Sequence, residues 1–310
     1  MKKLICVAVL VCMFFATLWG QHDTQINSYT FNQLLFNPAY TGNHQRVEAT
    51  LLQRSQFIGF EGAPVVWDLA VSTPFRLFDQ QHGAAFTMNN DRIGAFNKIN
   101  FAFNYAYWHN FSDAAKLGVG ISLGAVSYNM DPTWNDIVDD AIPTRSEASS
   151  VAFDANVGLY YQHRDFSIGL ACTHVNQPKS LIRATGEKAL TVSRTFYVSG
   201  DYHWNTSIEN LEVVPSAMLM VINITAPQLT VGSNVFYMKK YWGGLSYRIG
   251  DALGVSVGML FKSVRFGFLY EYSLSKMIGF NMGSTEIFAS YLFDVNLQKK
   301  KKKYKSIRYL

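Results

Sequence analysis

Charge is scarce in this sequence: Asp, Glu, Lys and Arg make up 16% of its 310 residues, against roughly 25% in soluble globular proteins. A water-facing enzyme of this length needs a charged exterior, so the deficit argues against one. Cysteine is nearly absent, with Cys6, Cys12 and Cys172 the only three. The first two fall in the N-terminal apolar run. Cys172 is then left without an intramolecular partner, which excludes a small disulfide-stapled domain. Beyond residue 20 no stretch approaches the ~18 uninterrupted apolar residues of a membrane-spanning helix.

Signatures of chemistry are missing too. The histidines at 22, 44, 82, 109, 163, 174 and 203 include no pair at zinc-binding helical spacing and adjoin no cysteine cluster. Asp136, Asp139 and Asp140 lack the spacing and the glycine of a calcium hand and read as a solvated acidic loop. There is no glycine-rich phosphate cradle. Gly120-Ile121-Ser122-Leu123-Gly124 and Gly254-Val255-Ser256-Val257-Gly258 match the serine-hydrolase spacing, but that motif works only where a strand turns sharply into a helix. Both matches lie inside alternating segments, where small residues mark a crowded or bent wall. No catalytic group, cofactor or metal is expected.

What is present begins with Lys2 and Lys3, an apolar run from Leu4 to Leu18, and Gly20 before polar Gln21. That is the pattern of a secretory signal peptide over 1–20, too short for a spanning helix. A lipoprotein reading through Cys12 is set aside because Val11 is not the small residue such processing wants. Export excludes nucleic acid as a partner. Aromatics reach 15%, and an apolar, aromatic chain with no spanning helix fits a closed barrel whose strands satisfy one another's backbone.

A barrel demands segments of about ten residues that alternate with period two. Ile99, Phe101, Phe103, Tyr105 and Tyr107 alternate with Asn100, Ala102, Asn104 and Ala106. Val264, Phe266, Phe268, Tyr270 and Tyr272 alternate with Arg265, Gly267, Leu269 and Glu271. Residues 153–161 repeat the pattern. The sequence predicts strands near 45–56, 65–74, 82–91, 97–108, 115–128, 151–163, 165–175, 194–204, 210–222, 228–238, 241–249, 252–261, 264–273 and 285–293. The fold class is therefore all-β: a transmembrane antiparallel β-barrel of about 14 strands, an even number as bacterial single-chain barrels have.

A soluble β-sandwich also alternates, but its exposed faces are rich in Lys, Glu and Thr. Here the second face is Gly, Ser, Asn and Ala, with Asp154, Asp201, Arg248, Arg265 and Glu271 placed to pair inside a narrow, filled lumen. Aromatics near strand ends, Tyr107, Trp108, Tyr160, Tyr161, Trp204, Tyr237, Tyr241 and Trp242, are expected in interfacial girdles. The longer connections, near 57–64, 129–150, 176–193 and 274–284, are all odd-numbered. Tight ones, at His163-Arg164-Asp165, Lys239-Lys240 and Lys262-Ser263, are even. With long loops outside, both termini are expected in the periplasm. The domains are then a signal peptide (1–20), a periplasmic or lumenal lead-in (21–44), the barrel (45–294) and a basic periplasmic tail (295–310). That tail holds Lys299, Lys300, Lys301, Lys302, Lys303, Lys305 and Arg308, then Tyr309 and Leu310. It reads as a solvated charge run or as a docking segment steered to an acidic partner.

The lead-in carries Phe31-Asn32-Gln33-Leu34-Leu35-Phe36-Asn37-Pro38-Ala39-Tyr40-Thr41-Gly42, whose Asn-Pro and Thr-Gly pairs are turn chemistry. Arg54-Ser55-Gln56-Phe57-Ile58-Gly59-Phe60-Glu61-Gly62-Ala63-Pro64 and Ser72-Thr73-Pro74 follow. Together these resemble the PorP/SprF family of type IX secretion system membrane proteins. The residues carrying the likeness are Phe31, Asn32, Asn37, Pro38, Ala39, Tyr40, Gly42, Arg54, Gln56, Gly59, Gly62, Ala63 and Pro64. Gly283-Ser284-Thr285-Glu286-Ile287 is similar to the family's approach to its final strand, with Thr285 where His is expected. Phe57 stands in place of the usual Trp, and the basic tail leans toward a PorP-type component. The resemblance implies a non-enzymatic protein of the bacterial outer membrane, surrounded by its lipid. It would dock periplasmic and outer-membrane secretion components, and secreted proteins with C-terminal sorting domains. The rival reading is a channel for small hydrophobic or polar solutes.

Overall fold

The computed structural model describes residues 23–130, 150–182, 188–224 and 226–294. The N-terminal apolar run, the stretch with Asp136, Asp139 and Asp140, and the basic tail with Lys299–Lys303, Lys305 and Arg308 lie outside the described residues. Strands follow one another along the chain as β1 (Val47–Ser55), β2 (Val65–Leu77), β3 (Gln80–Ile93), β4 (Phe96–Ser112), β5 (Ala115–Met130), β6 (Ser150–His163) and β7 (Phe166–Thr173). A short hairpin, β8 (Lys179–Ile182) with β9 (Lys188–Thr191), interrupts them. Then come β10 (Thr195–Tyr202), β11 (Trp204–Asn205), β12 (Leu211–Ile222), β13 (Ala226–Tyr237), β14 (Tyr241–Arg248), β15 (Ala252–Phe261), β16 (Val264–Ser273) and β17 (Ser284–Phe293).

Every pairing in the main sheet is antiparallel between strands next to each other in the wall. β1 pairs with both β2 and β17, and β10 with both β7 and β12, so the sheet closes on itself. With two-residue β11 only an extension along β12, the wall has 14 strands. Closure leaves no unpaired edge, the condition a sheet must meet in hydrocarbon.

The two faces follow the alternation read from the sequence. Phe101, Phe103 and Tyr105 point out and are exposed while Ala102, Asn104 and Ala106 are buried inside. On β16, Phe266, Phe268, Tyr270 and Tyr272 face out, and Leu269 and Glu271 in. An exterior this apolar and aromatic is the lipid-facing band of a transmembrane barrel.

All fourteen expected strands are present, with ends shifted by a few residues. β4 runs on to Ser112, and the strand expected over 194–204 ends at Tyr202, with β11 leaving separately after His203. Val47 pairs with Phe293, so β1 starts and β17 ends at one rim, called here the terminal rim. The connections 56–64 and 274–283 lie at the opposite, long-loop rim, where β5 ends, β6 starts, β7 ends and β10 starts. Loop length is an imperfect marker: the eighth connection, 203–210, is long although it lies at the terminal rim, and the third, 94–95, is tight. The wall is also uneven in height. Strands β3 to β6 have 14 to 17 residues, whereas β14 to β17 and β1 have 8 to 10.

Candidate functional site

The barrel lumen is occupied by its own N-terminal segment, which leaves a cavity of about 100 Å³ against the wall at Asp68, Asn104 and His174. Residues 23–44 run through the lumen from the level of Lys98 and His174, near the long-loop rim, to the level of Trp108 and Lys116, near the terminal rim. They hold little regular structure, only two 3-10 turns, Gln33–Leu35 and Pro38–Tyr40. The wall and the segment therefore share their hydrogen bonds.

The Asn-Pro-Ala-Tyr stretch is a capped turn. The Asn37 side chain accepts from the Ala39 N–H at 3.0 Å, and Pro38 occupies the first turn position, where its missing N–H is not needed. The Asn37 amide also donates to the Leu159 carbonyl on β6 at 3.1 Å. Ala39 is fully buried against the inward face of β5, where Gly118 and Gly120 leave room for its backbone; a Cβ at Gly120 would overlap Ala39 and Pro38. Tyr40 packs edge-on against Tyr160, ring centroids 5.1 Å apart. Gly42 has φ 68 and lies so close to Gly83 on β3 that neither position has space for a side chain. Its N–H donates to Ser72 Oγ at 2.9 Å, which joins the Ser-Thr-Pro stretch to the lead-in. Trp108 Nε1 donates to the Thr41 carbonyl at 2.8 Å, and Lys116 Nζ to that of Asn43 at 2.8 Å.

Phe31 stacks on Trp242 at 4.3 Å and leans on Phe288 at 5.3 Å, in a cluster with Ile26 and Leu52. Asn32 donates to Ser28 Oγ at 2.9 Å. Tyr29 and Phe36 fill a second cluster with Tyr197, Met218 and Met220. The segment thus meets the wall on opposite sides of the lumen.

Arg54 sits below these contacts, fully buried, paired with Glu286 and, at 2.5 Å, with Glu271; Arg248 donates to Glu271 at 2.7 Å. The two buried guanidinium groups and two buried carboxylates balance, the condition under which charges survive burial, and Arg248 also reaches the partly exposed Asp251 at 3.0 Å. Glu286 also accepts from the backbone N–H of Asn27 at 2.8 Å and of Ser28 at 3.0 Å. One carboxylate therefore ties the last strand, the first strand and the lumenal segment together.

A third anchor lies at the segment's start. Asp23 pairs with Lys98 and with His174 Nε2, both at 2.9 Å, while His174 Nδ1 faces Asp154 at 2.8 Å. An imidazole with a carboxylate on each nitrogen satisfies both only when both nitrogens carry protons.

The later residues singled out from the sequence build the long-loop rim instead. Gln56 N–H donates to the Pro64 carbonyl at 2.9 Å, Ala63 N–H to that of Phe60 at 3.1 Å, and Gly94 N–H to that of Gly62 at 2.9 Å. Gly59, at φ 90, and Gly62, at φ 72, make the reversals. The expected girdle needs correction: Trp108, Tyr160 and Trp242 are buried in the lumen, while Trp204, Tyr237 and Tyr241 are exposed outside. Of neighbours such as Tyr107 and Trp108 only one can face lipid, and an indole N–H goes where an acceptor waits. The charges Arg248, Glu271 and Asp154 pair inside as expected. Nothing in the sequence joins Asp23, Lys98 and His174, which lie far apart in the chain. The two Gly-x-Ser-x-Gly stretches line the crowded lumen: Gly120 lies under Ala39, and Gly254 under the Asn27 side chain. Among the described residues no group of three or more His, Cys, Asp or Glu could hold a metal ion.

At the terminal rim, His203 lies between Asp201 Oδ1 at 3.2 Å and Glu212 Oε1 at 2.5 Å. The Asp201 hydrogen bond, helped by Glu212 against the effect of burial, raises its pKa to about 9. A proton NMR titration of the His203 ring is expected to show a midpoint near that value, and Asp201→Asn to lower it. A pKa raised in the folded state contributes stability that is complete below about 6.5, the unfolded value, and is lost as pH rises through the folded one. A midpoint unmoved by Asp201→Asn would refute that cause.

Fold and site together define a transmembrane β-barrel of the outer-membrane type with its lumen occupied by its own N-terminal segment. Residues 19–291 match the family described as type IX secretion system membrane protein PorP/SprF, and the chain belongs to it. No curated protein matches the sequence. Among solved structures it is similar to the Pseudomonas putida toluene transporter TodX, 11% identical, with a TM-score of 0.50 over 89% of this chain and 95% of that one. A TodX deltaS2S3 mutant, described as a monoaromatic hydrocarbon channel, gives a TM-score of 0.51 at 9% identity over 88% of this chain and 95% of that one. At such identities the likeness is one of fold alone.

Proposed function

We propose that this barrel is a non-enzymatic platform in the outer membrane for type IX secretion. The long-loop rim faces outward to cargo or translocon, and the terminal rim faces the periplasmic machinery. The occupied lumen carries this reading: a wall whose interior is tied to residues 23–44 by buried ion pairs, backbone hydrogen bonds and two apolar clusters is built to hold shape rather than to pass solute. Docking work then falls to the rims. In this orientation the basic tail leaves β17 on the periplasmic side and offers positive charge to an acidic surface. After export by a signal peptide, the partners are other secretion components and secreted proteins with C-terminal sorting domains.

Deleting residues 299–310 while keeping the barrel is expected to reduce recovery of periplasmic secretion proteins in crosslinked pull-downs and to weaken secretion. Unchanged recovery and secretion would sink the tail's part in docking. The rival reading, a channel for small solutes, predicts ion conductance or solute uptake by the unmodified purified barrel in liposomes, where the platform predicts little of either.

A further inference from the structure

The short side of the wall ends in an apolar loop. Between β16 and β17, residues 274–283 contain one charged residue, Lys276, and expose Leu274, Ile278, Phe280 and Met282, with Phe280 74% and Met282 67% accessible. Phe60, on the neighbouring 56–64 connection, is 52% exposed. Such exposure usually accompanies a loose loop, but this one is pinned. Met282 N–H donates to the Ile58 carbonyl and Ile58 N–H to that of Gly283, both at 2.8 Å, and the Asn281 side chain closes the turn onto Met277 at 2.6 Å. An ordered loop that holds several large apolar side chains outward is a prepared contact surface.

Its direction identifies the contact. Tyr270 is an outward, lipid-facing residue of β16, and its hydroxyl donates to the Met282 carbonyl at 2.8 Å. The loop therefore leans over the outside of the wall, continuous with the apolar band, and not over the lumen. Height points the same way. At about 3.4 Å per residue and a tilt of about 40°, the 8-residue β14 rises about 21 Å and the 9- and 10-residue strands about 23–26 Å, so this side only just spans the apolar band of about 25 Å of such barrels. The longer strands β3 to β6 rise well beyond it.

We propose that residues 274–283, with Phe60 beside them, are immersed in lipid acyl chains and complete the apolar band on the short side of the barrel. The loop then extends the apolar band where the wall is lowest.

The test uses the full chain in phosphatidylcholine vesicles, with Cys6, Cys12 and Cys172 changed to Ser. A single cysteine carrying an environment-sensitive fluorophore is placed by Phe280→Cys or Met282→Cys, by Phe268→Cys in the wall, or by Ser207→Cys on the opposite rim. Both loop residues are exposed, so these changes leave the core intact, and heat-modifiable gel mobility verifies folding. Labels at 280 and 282 are expected to behave like the one at 268: quenched by brominated acyl chains, with loss of quenching by aqueous iodide. Iodide quenching at both positions equal to that at 207 would overturn lipid immersion and leave the ridge to a protein partner.

Discussion

A valine at position 120 is expected to push the lumenal segment out of its seat and turn a closed wall into a conducting one. Gly120 faces inward on β5, and even a single Cβ there would overlap the backbone of Pro38 and Ala39. Overpacking a filled interior costs about 1–3 kcal/mol, and the cost lies toward the upper end where the obstructing atoms are backbone and cannot rotate away. The wall at this point is held by ladders on both sides, β4 and β6. Around Pro38 and Ala39 the segment has no ladder of its own, only a capped turn and single hydrogen bonds to Leu159 and Trp108, so at this point it is the segment that yields. Planar-bilayer recordings should show steady conductance for Gly120→Val and almost none for the parent, with residues 23–44 newly open to added protease. Gly243→Ala, where a Cβ makes only ordinary contact, serves as control. A Gly120→Val barrel that stays closed and protected would mean that the turn does not depend on that contact.

Replacing Arg54 by Met should cost about 3–5 kcal/mol, the range for removing one partner of a buried ion pair. Arg54 touches Glu286 and Glu271 at once, so its loss leaves two buried carboxylates with Arg248 as their remaining guanidinium. The damage concentrates where β1 meets β17, the place where the first and last strands close the wall. The heat needed to shift the folded band on a gel should fall clearly. Adding Glu286→Gln to Arg54→Met should recover part of the loss, because the amide removes the unpaired charge while its one oxygen still accepts from either Asn27 or Ser28. Parent-like heat resistance of the Arg54→Met variant would show that the cluster is marginal to closure.

Much of the wall was legible because one physical demand, apolar to lipid and small or polar inside, writes itself with period two along every strand. Phe101, Phe103 and Tyr105 needed no partner to be assigned. The lumenal segment was not legible in that way. Its mixture of aromatic and amide side chains follows no period, and each residue answers to a different strand: Asn37 to β6, Trp108 to Thr41, Glu286 to Asn27. The family resemblance marked Asn37 to Gly42 as important without saying what they touch. The misplaced aromatics have the same origin, since a Trp at a strand end looks alike from sequence whether it meets headgroups or a filled lumen. Arg54 and Glu286, 232 residues apart, show why a buried pair leaves no local trace.

The triple role of Glu286 constrains how this molecule can be made. Asp23 lies inside the barrel toward the long-loop rim, while the same segment joins β1 at the other end. Glu286 binds that segment and also Arg54 across the closing strands. A finished ring would have to be threaded along its whole length to reach this state. Biogenesis is simpler if an open sheet curls around residues 23–44, with strand 17 arriving last to lock both. The oldest part of the translated barrel chain is then the mandrel on which the youngest part shuts.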